Sequence, residues 1–574
     1  MIEIFVYSFI SSVQILICGY LFYYLFLNKK INSQINIFEF GFFGLLLLAF
    51  VSIFFNFFTS LSRIVNDLIF IVPFLLFFFF FFNKIVLKKI IIYSVPVAIL
   101  FVLTISFDTI NRPDAGLYHL PYVSILNESK IIIGINNLHF RFGHTSIMQY
   151  LSAIYNNHLF LDHGILIPLG IIYCHALGYL IFELLNNKNK ELIIIFFTFF
   201  AFSVFTMNRY GGFGNDAPAH FLFFYLICEA LKNNGVIYKI KKTSLIATFV
   251  FLNKVTLLFC FLIPLYFIIK NFKLSVIFNN ANIFCLLLLS FFVFKNFLVS
   301  GCLIFPAEQT CIKKIFWYDS NSHRNSNALN TRLENEAWAK GWPDQKNLKK
   351  DFKNYIADYG WIEVWQNNHG KIIIKRIAPF LIFMALIIGY ILIYQLKSKD
   401  FKKFKTNLLL EKYLFLSICI LGSIFWFLKF PVFRYGYSYL ASTFGLLLLV
   451  ILGNFNFFQD YEKFKKIIIF VITLLLIAIT SKHAVRIFSG ITDKYNNQTP
   501  WPNIYSDNKY SKKNENIPIY KNGQFLFYKS KNDTCYFSSS PCTHYFYQTD
   551  FTLDEINLKI LTGYKFFYFN KRSN

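Results

Sequence analysis

SLIATFVFLNKVTLLFCFLIPLYFII, residues 244–269, is the stretch on which the fold turns. Its only charge is Lys254, beside Asn253 near the middle. Read as one segment it is a long membrane-crossing helix with a snorkelling lysine. Read as two it is a short hairpin that enters and leaves by the same face, turning at Asn253 and Lys254. Lysine clusters at Lys29 and Lys30, Lys84 to Lys89, Lys188 and Lys190, Lys232 to Lys242, Lys397 to Lys405 and Lys463 to Lys466 favour the second reading. Cytoplasmic loops carry such an excess, and only a double crossing puts every cluster on one side. Paired short helices inside a membrane are tolerated where they line a cavity, so the hairpin is itself a pointer to a site.

Outward from the hairpin the pattern repeats. Apolar stretches at 4–27, 37–58, 66–82, 90–107, 163–185, 192–207, 217–231, 282–298, 376–396, 410–428, 436–453 and 467–481 approach the roughly 20 residues that cross a hydrocarbon layer about 30 Å thick. The expected fold is an all-α polytopic membrane protein of about 14 transmembrane helices with both termini external. Its expected parts are N-terminal membrane helices over 1–89, a membrane core over 90–453 with external loops 108–162 and 299–372, a last helix over 454–481, and an external C-terminal domain over 482–574. The composition agrees: of 574 residues 56% are hydrophobic and only 15% charged, with mean hydropathy +0.49. A soluble protein carries about a quarter charged residues. Soluble enzymes, nucleic-acid binders and secreted disulfide scaffolds are excluded. The net charge of +26 is expected to face anionic membrane lipids, with no nucleic-acid partner. No cleavable signal peptide is expected, since the first apolar run follows Glu3 with no basic start.

Cysteine and arginine carry a second layer of information. Cys18, Cys174, Cys228, Cys260, Cys285 and Cys419 fall in apolar spans, while Cys302, Cys311, Cys535 and Cys542 fall in external segments. Pairing Cys302 with Cys311 and Cys535 with Cys542 is the simplest of the three possible connectivities and suits an oxidising compartment; the alternative is free thiols. All ten arginines, among them Arg63, Arg324, Arg332, Arg376 and Arg486, fall on the expected external side, against the usual bias. A guanidinium fork grips phosphate or carboxylate at two points, so this face is read as the one that recognises anions, while arginines of the soluble segments pair with surface acids.

Three external turns hold the candidate chemistry. In PDAGLYH, Asp114 follows Pro113 in what reads as a helix's first turn, with Arg112, Tyr118 and His119 beside it and His139, Arg141 and His144 further along the same loop. Asp114 is either a helix cap or a functional juxtamembrane acid. The histidines are read as proton carriers or as ordinary core residues, since their spacing matches no zinc motif. Ile147, Tyr150, Leu151, Ile154 and Tyr155 recur at helical spacing and are read as a helix along the membrane surface. The turn MNRYGGFGNDAPAH carries Arg209, Asp216 and His220, with glycines that admit a ligand or Asp216 as a cap. In KFPVFRYGY, Arg434 is an anion ligand or an interfacial anchor. Loop 299–372 reads as a small helical cap rich in tryptophan, and Asn522-Gly523 between alternating runs as a hairpin turn in a β-containing tail.

Taken together, residues 90–453 resemble the GT-C superfamily of membrane glycosyltransferases, which use polyprenyl-phosphate-linked sugars on the external face of the membrane. The resemblance rests on Asp114 and Tyr118 of PDAGLYH, Asp216 of GNDAP, Lys254 of LNKVT, and the Arg434-Tyr435 pair. LYHLPY, NLHFRFGH and SGCLIFP look closest to a group of bacterial polytopic membrane proteins. The resemblance implies an inverting transferase in the bacterial inner membrane, its site facing the periplasm or exterior. The partners would be a polyprenyl-phosphate-linked sugar and an envelope glycan or lipid acceptor. Asp114 and Asp216 would be the catalytic acids, and Arg112, Tyr118, His119, Arg141, Arg209, Lys254, Arg434 and Tyr435 the substrate-binding residues. Where the family pairs acids in its first loop this chain has Asp114-Ala115, so a divalent metal is possible but none is clearly implied. A non-catalytic protein that binds or moves lipid-linked glycans is the alternative.

Overall fold

Length and periodicity together produce a bundle of apolar helices. The computed structural model describes residues 1–27, 35–108, 113–144, 146–207, 213–342, 351–398, 409–452, 461–492, 499–505, 516–531, 534–544 and 555–569. The first helices are α1 (Ile2–Phe22), α2 (Glu39–Phe58), α3 (Arg63–Phe80) and α4 (Lys84–Ile105), then the short helices α5 (Leu120–Glu128) and α6 (Ile147–Ile154). The core continues with α7 (Ile167–Asn186), α8 (Lys190–Thr206), α9 (Asp216–Leu231), α10 (Val236–Asn253), α11 (Leu262–Lys270), α12 (Leu274–Ile277) and α13 (Asn280–Ser300). A cap of α14 (Ala328–Ala339), α15 (Phe352–Ala357) and α16 (Trp361–Trp365) precedes the last long helices α17 (Lys371–Ser398), α18 (Leu409–Lys429), α19 (Phe433–Leu452) and α20 (Tyr461–Thr492). Among the described residues ten helical stretches are long and apolar enough to cross a membrane, which makes the chain an integral membrane protein. Each of the expected crossings coincides with a helix, but α8, α9, α10 and the run 255–270 are shorter or more polar than the other ten.

The stretch 244–269 is broken where its sequence changes character. α10 ends at Asn253, Lys254 is extended with φ −149° and ψ 102°, and a 3-10 turn over Val255–Phe261 leads into α11. α11 and the turn pack back on α10 as a hairpin. The helix starts earlier than the lysine pattern implies, at Val236, so Lys239, Lys241 and Lys242 lie within α10.

Two of the lysines expected to face headgroups instead turn into an ion network within the bundle. Lys242 Nζ lies 2.7 Å from both Glu39 and Glu229, and Lys232 Nζ lies 2.6 Å from Glu229 and 2.9 Å from Glu183. Tyr23 and Tyr179 donate to the same carboxylates at 3.0 and 2.8 Å. The network ties α1, α2, α7, α9 and α10 together at one end of the bundle. A lysine on a helix face is cheaper to pair than to leave in hydrocarbon, which is why these positions turned inward.

The second correction concerns 147–155. α6 is a helix, but all of its residues are buried, packed between α2, α5 and α7, with Gln149 and Ser146 forming a capping box at its start. It is enclosed by these helices and does not lie along the bilayer.

The tail forms the expected hairpin of β1 (Ile517–Lys521) and β2 (Gln524–Lys529), with Asn522 and Gly523 both at positive φ as a two-residue turn of this hand requires. β3 (Cys542–Thr543) joins β2 in parallel, and β4 (Ile556–Leu561) pairs with β5 (Tyr564–Phe569) in a second hairpin. Disulfides join Cys302 to Cys311 and Cys535 to Cys542, and the six cysteines of the apolar spans are free and buried. The tail is stitched to the segment between α5 and α6 through Ile133 N–H on the Lys565 carbonyl and Phe567 N–H on the Ile133 carbonyl, at 2.9 and 2.8 Å. α20 continues to Thr492, beyond the apolar run that announced it.

Removing one partner of a buried ion network leaves an uncompensated charge, at a cost of about 3–5 kcal/mol. Lys242→Met is therefore expected to lower stability by that amount in detergent-based unfolding, while Lys88→Met at an exposed position stays near the parent; equal stabilities would mean that the network contributes nothing.

Candidate functional site

At the other end of the bundle, elements from distant parts of the chain bring charged side chains together. Pro113 and Asp114 open a helix that passes through a π turn, Ala115–His119, into α5. Asp114 makes no side-chain cap to this helix. Its Oδ2 instead accepts from Arg434 Nη2 at 3.0 Å, and its Oδ1 lies 3.8 Å from Arg141 Nη1. The capping reading is thereby replaced by an ion pair. Asp216, the first residue of α9, is bonded by Lys254 and faces Arg434 Nε at 3.4 Å through its second oxygen. Arg434, on the first turn of α19, thus sits between the two carboxylates, and the pair missing from the first loop's sequence is completed by the second turn.

Aromatic rings back the cations. Lys254 Nζ lies 3.9 Å from the centre of the Tyr435 ring, and Arg141 lies 4.9 Å above Tyr118. Tyr435 OH accepts from Arg434 Nη2 at 3.4 Å. Arg434 Nη1 makes no contact with a protein acceptor among the described residues. Three cations against two carboxylates leave the cluster one charge positive, and Asp114, Arg141, Asp216 and Arg434 keep about a quarter to a third of their side chains exposed (24%, 31%, 31% and 37%). Among the described residues the cluster is thus half open and net positive, with one guanidinium nitrogen that has no protein acceptor.

Polar residues from the same helices set this geometry. His220 lies one turn after Asp216 on α9; its Nε2 is 2.7 Å from the Arg434 carbonyl, and its Nδ1 accepts from Ser438 N–H at 3.2 Å. With Nδ1 accepting, the ring is neutral and Nε2 donates, which pins the start of α19 against α9. The Asn253 amide, its nitrogen toward Ser146 Oγ at 2.7 Å and the Asn215 carbonyl at 3.1 Å, accepts from Ala219 N–H at 3.0 Å and so holds the break before Lys254 against the start of α9. His119 Nδ1 meets Asn215 Nδ2 at 3.2 Å.

Burial alone would raise the Asp114 carboxyl, but Arg434 and Arg141 outweigh it and hold the group below its usual range. The Asp114 pair is therefore complete above the ordinary carboxylate pKa and is lost only as pH falls through the lowered one. Burial pushes His119 down to about 4, against the pull of Asp114 and Asp216, and His144 down to about 3. In both rings burial favours the neutral imidazole. Among the described residues no group of three or more His, Cys, Asp or Glu is placed to hold a metal ion.

Of the residues singled out in the sequence, Asp114, Asp216, Tyr118, His119, Arg141, Lys254, Arg434 and Tyr435 meet in this cluster. Arg112 and Arg209 lie outside the described residues. Arg63 and Arg324 pair with acids of the outer segments, Arg63 with Asp162 at 2.8 Å and Arg324 with Glu555 at 2.9 Å, as expected for structural arginines. The supporting roles of His220 and Asn253 were not legible, although the four-residue spacing of Asp216 and His220 places them on one helix face.

The sequence model of a family described as Domain of unknown function (DUF8201) matches residues 1–441. The chain belongs to that family. The match takes in the whole charged cluster, from Asp114 to Tyr435, and ends within α19. No curated protein and no solved structure matches the chain.

A double-mutant cycle on Asp114→Asn and Arg434→Lys, read by unfolding in detergent, is expected to return a coupling of about 0.5–3 kcal/mol, as for residues in direct contact. Additive single-variant effects would mean that the pair does not form.

Proposed function

We propose that this protein is a membrane glycosyltransferase of the GT-C type that moves a sugar from a polyprenyl-phosphate-linked donor to an envelope glycan or lipid at the external membrane surface. The observation that carries the reading is the convergence of Asp114, Asp216, Arg141, Lys254 and Arg434 on one half-open cluster with a positive excess. A departing lipid phosphate needs cations, and an acceptor hydroxyl needs a base.

In this reading Asp114 takes the acceptor proton as the acceptor oxygen attacks the anomeric carbon. The bond from that carbon to the phosphate oxygen breaks with inversion, and Arg434, Arg141 and Lys254 receive the polyprenyl phosphate. Asp114 is a poor base while both arginines hold it. A donor phosphate that shares those arginines loosens their hold and restores basicity where the acceptor sits. Asp216 keeps Lys254 and Arg434 in place and stays ionised beside them. A site at the end of a helix bundle suits a donor whose tail remains in the bilayer.

The arginine-held Asp114 also supports a second reading, a non-catalytic protein that binds or moves lipid-linked glycans without breaking them. Turnover separates the two. Purified Asp114→Asn is expected to bind a polyprenyl-phosphate sugar near normally and to lose on the order of 10²-fold or more in rate. Asp216→Asn, run in parallel, is expected to weaken binding. Full activity in folded Asp114→Asn would end the base assignment, and absence of turnover in the parent with retained binding would favour the carrier.

The reading also needs about 14 crossings and an external site, with Lys254 outside and Lys84 to Lys89 inside. Single cysteines at 254 and 88 in a cysteine-depleted background are expected to react with an impermeant maleimide from the outside and the inside of the cell membrane, respectively. Labelling of both from one side would reject the topology and the external donor together.

A further inference from the structure

The π turn that carries Asp114 contains a defect that its own helix cannot repair. Leu120 N–H bonds to the Ala115 carbonyl, five residues back. The next carbonyl, that of Gly116, would need the N–H of residue 121, which is Pro121 and has none. A backbone carbonyl left so is costly when buried, and Gly116 is buried.

A segment more than four hundred residues away fills the gap. Cys535 N–H and Tyr536 N–H both donate to the Gly116 carbonyl, at 3.0 and 2.9 Å. Two successive N–H groups converge on one oxygen only where the chain turns sharply, and Tyr536 holds φ 51°, a left-handed conformation that costs a side-chain-bearing residue energy. The Tyr536 ring lies against Gly116 so closely that a Cβ there would stand 2.6 Å from it. Tyr536 is buried at 3% exposure, and its hydroxyl has no hydrogen-bond partner among the described residues, so the ring acts by packing. The disulfide Cys535–Cys542 closes this loop. The loop is fastened to the same helix further on, through Ser540 N–H and Oγ on Glu128 at 3.0 and 2.9 Å and Ser124 Oγ on the Ser538 carbonyl. All of these loop residues lie beyond the family match.

We propose that Tyr536 and the Cys535–Cys542 loop are positioning elements of the candidate site, which hold the π turn open so that Asp114 meets Arg434 and Tyr118 meets Arg141. The C-terminal domain is then part of the site and not an appendage. The proposal rests on the cluster as the functional site but not on the reaction assigned to it.

The test uses the full chain in detergent, with hydrogen exchange of the backbone amides in 115–120 and binding of a polyprenyl monophosphate as separate readouts. Tyr536→Ala is expected to speed exchange in 115–120 by tenfold or more, with distant helices unchanged, and to weaken polyprenyl-phosphate binding by tenfold or more. Tyr536→Phe keeps the ring and is expected to match the parent in both. Unchanged exchange in 115–120 of Tyr536→Ala overturns the proposal, as does a Tyr536→Phe variant that fails like Tyr536→Ala. If Tyr536→Ala does not fold, Gly116→Ala approaches the same contact from the other side, and parent-like exchange in that variant overturns the proposal equally. A parent that binds no polyprenyl phosphate, with exchange still responding to Tyr536→Ala, rejects the transferase reading and upholds the positioning role.

Discussion

Arg434 is the residue on which one end of this bundle depends. Its guanidinium carries Asp114 on one nitrogen and Asp216 on another, and these acids come from opposite parts of the first half of the chain. A planar fork can hold two carboxylates at a fixed angle, whereas an ammonium would hold them loosely. Because each acid opens a helix, the fork sets the spacing of the helix that leads into α5, of α9 and of α19 at once. His220 closes the arrangement by gripping the Arg434 backbone from within α9.

The same helices are fixed at their other ends by a second set of charges. α9 runs from Asp216 in the half-open cluster to Glu229 in the buried network, and α10 runs back from Lys242 to Asn253. Its 16 residues make α9 about 24 Å long, less than the roughly 30 Å of a hydrocarbon layer. Charges confined to two levels, with apolar packing between, are what a membrane protein can tolerate. The lower set is fully paired and closed, with Lys242 and Glu229 almost without solvent contact. The upper set is half open, and among the described residues one nitrogen of the Arg434 guanidinium has no protein acceptor. That contrast separates a network that holds helices together from one that can exchange partners with an incoming anion.

Exchange of partners also resolves an apparent conflict in the site. An acid held by two arginines is well placed but weakly basic. A ligand that competes for the arginines would change this without moving the acid. The π turn beneath Asp114 supplies the rigidity such a change requires, since its orphan carbonyl is satisfied from the C-terminal loop and the turn cannot relax freely.

Much was legible in the sequence alone. Hydrophobic run length and lysine placement determined the helices and the break at Lys254, because an unpaired charge in an apolar run must find either water or a partner. The Asn522-Gly523 turn and both disulfides were legible because their constraints are local. The residues of the charged cluster were also named, since acids and arginines beside apolar helices have few bland uses. Only the tertiary structure decided which charges pair. It turned Lys232 and Lys242 inward, buried α6 and set Asp216 across Arg434 from Asp114, because pairing depends on which helices become neighbours. For the same reason nothing in the local pattern linked Tyr536 to Gly116: the missing N–H of Pro121 is written in the sequence, but the group that replaces it is chosen by the fold.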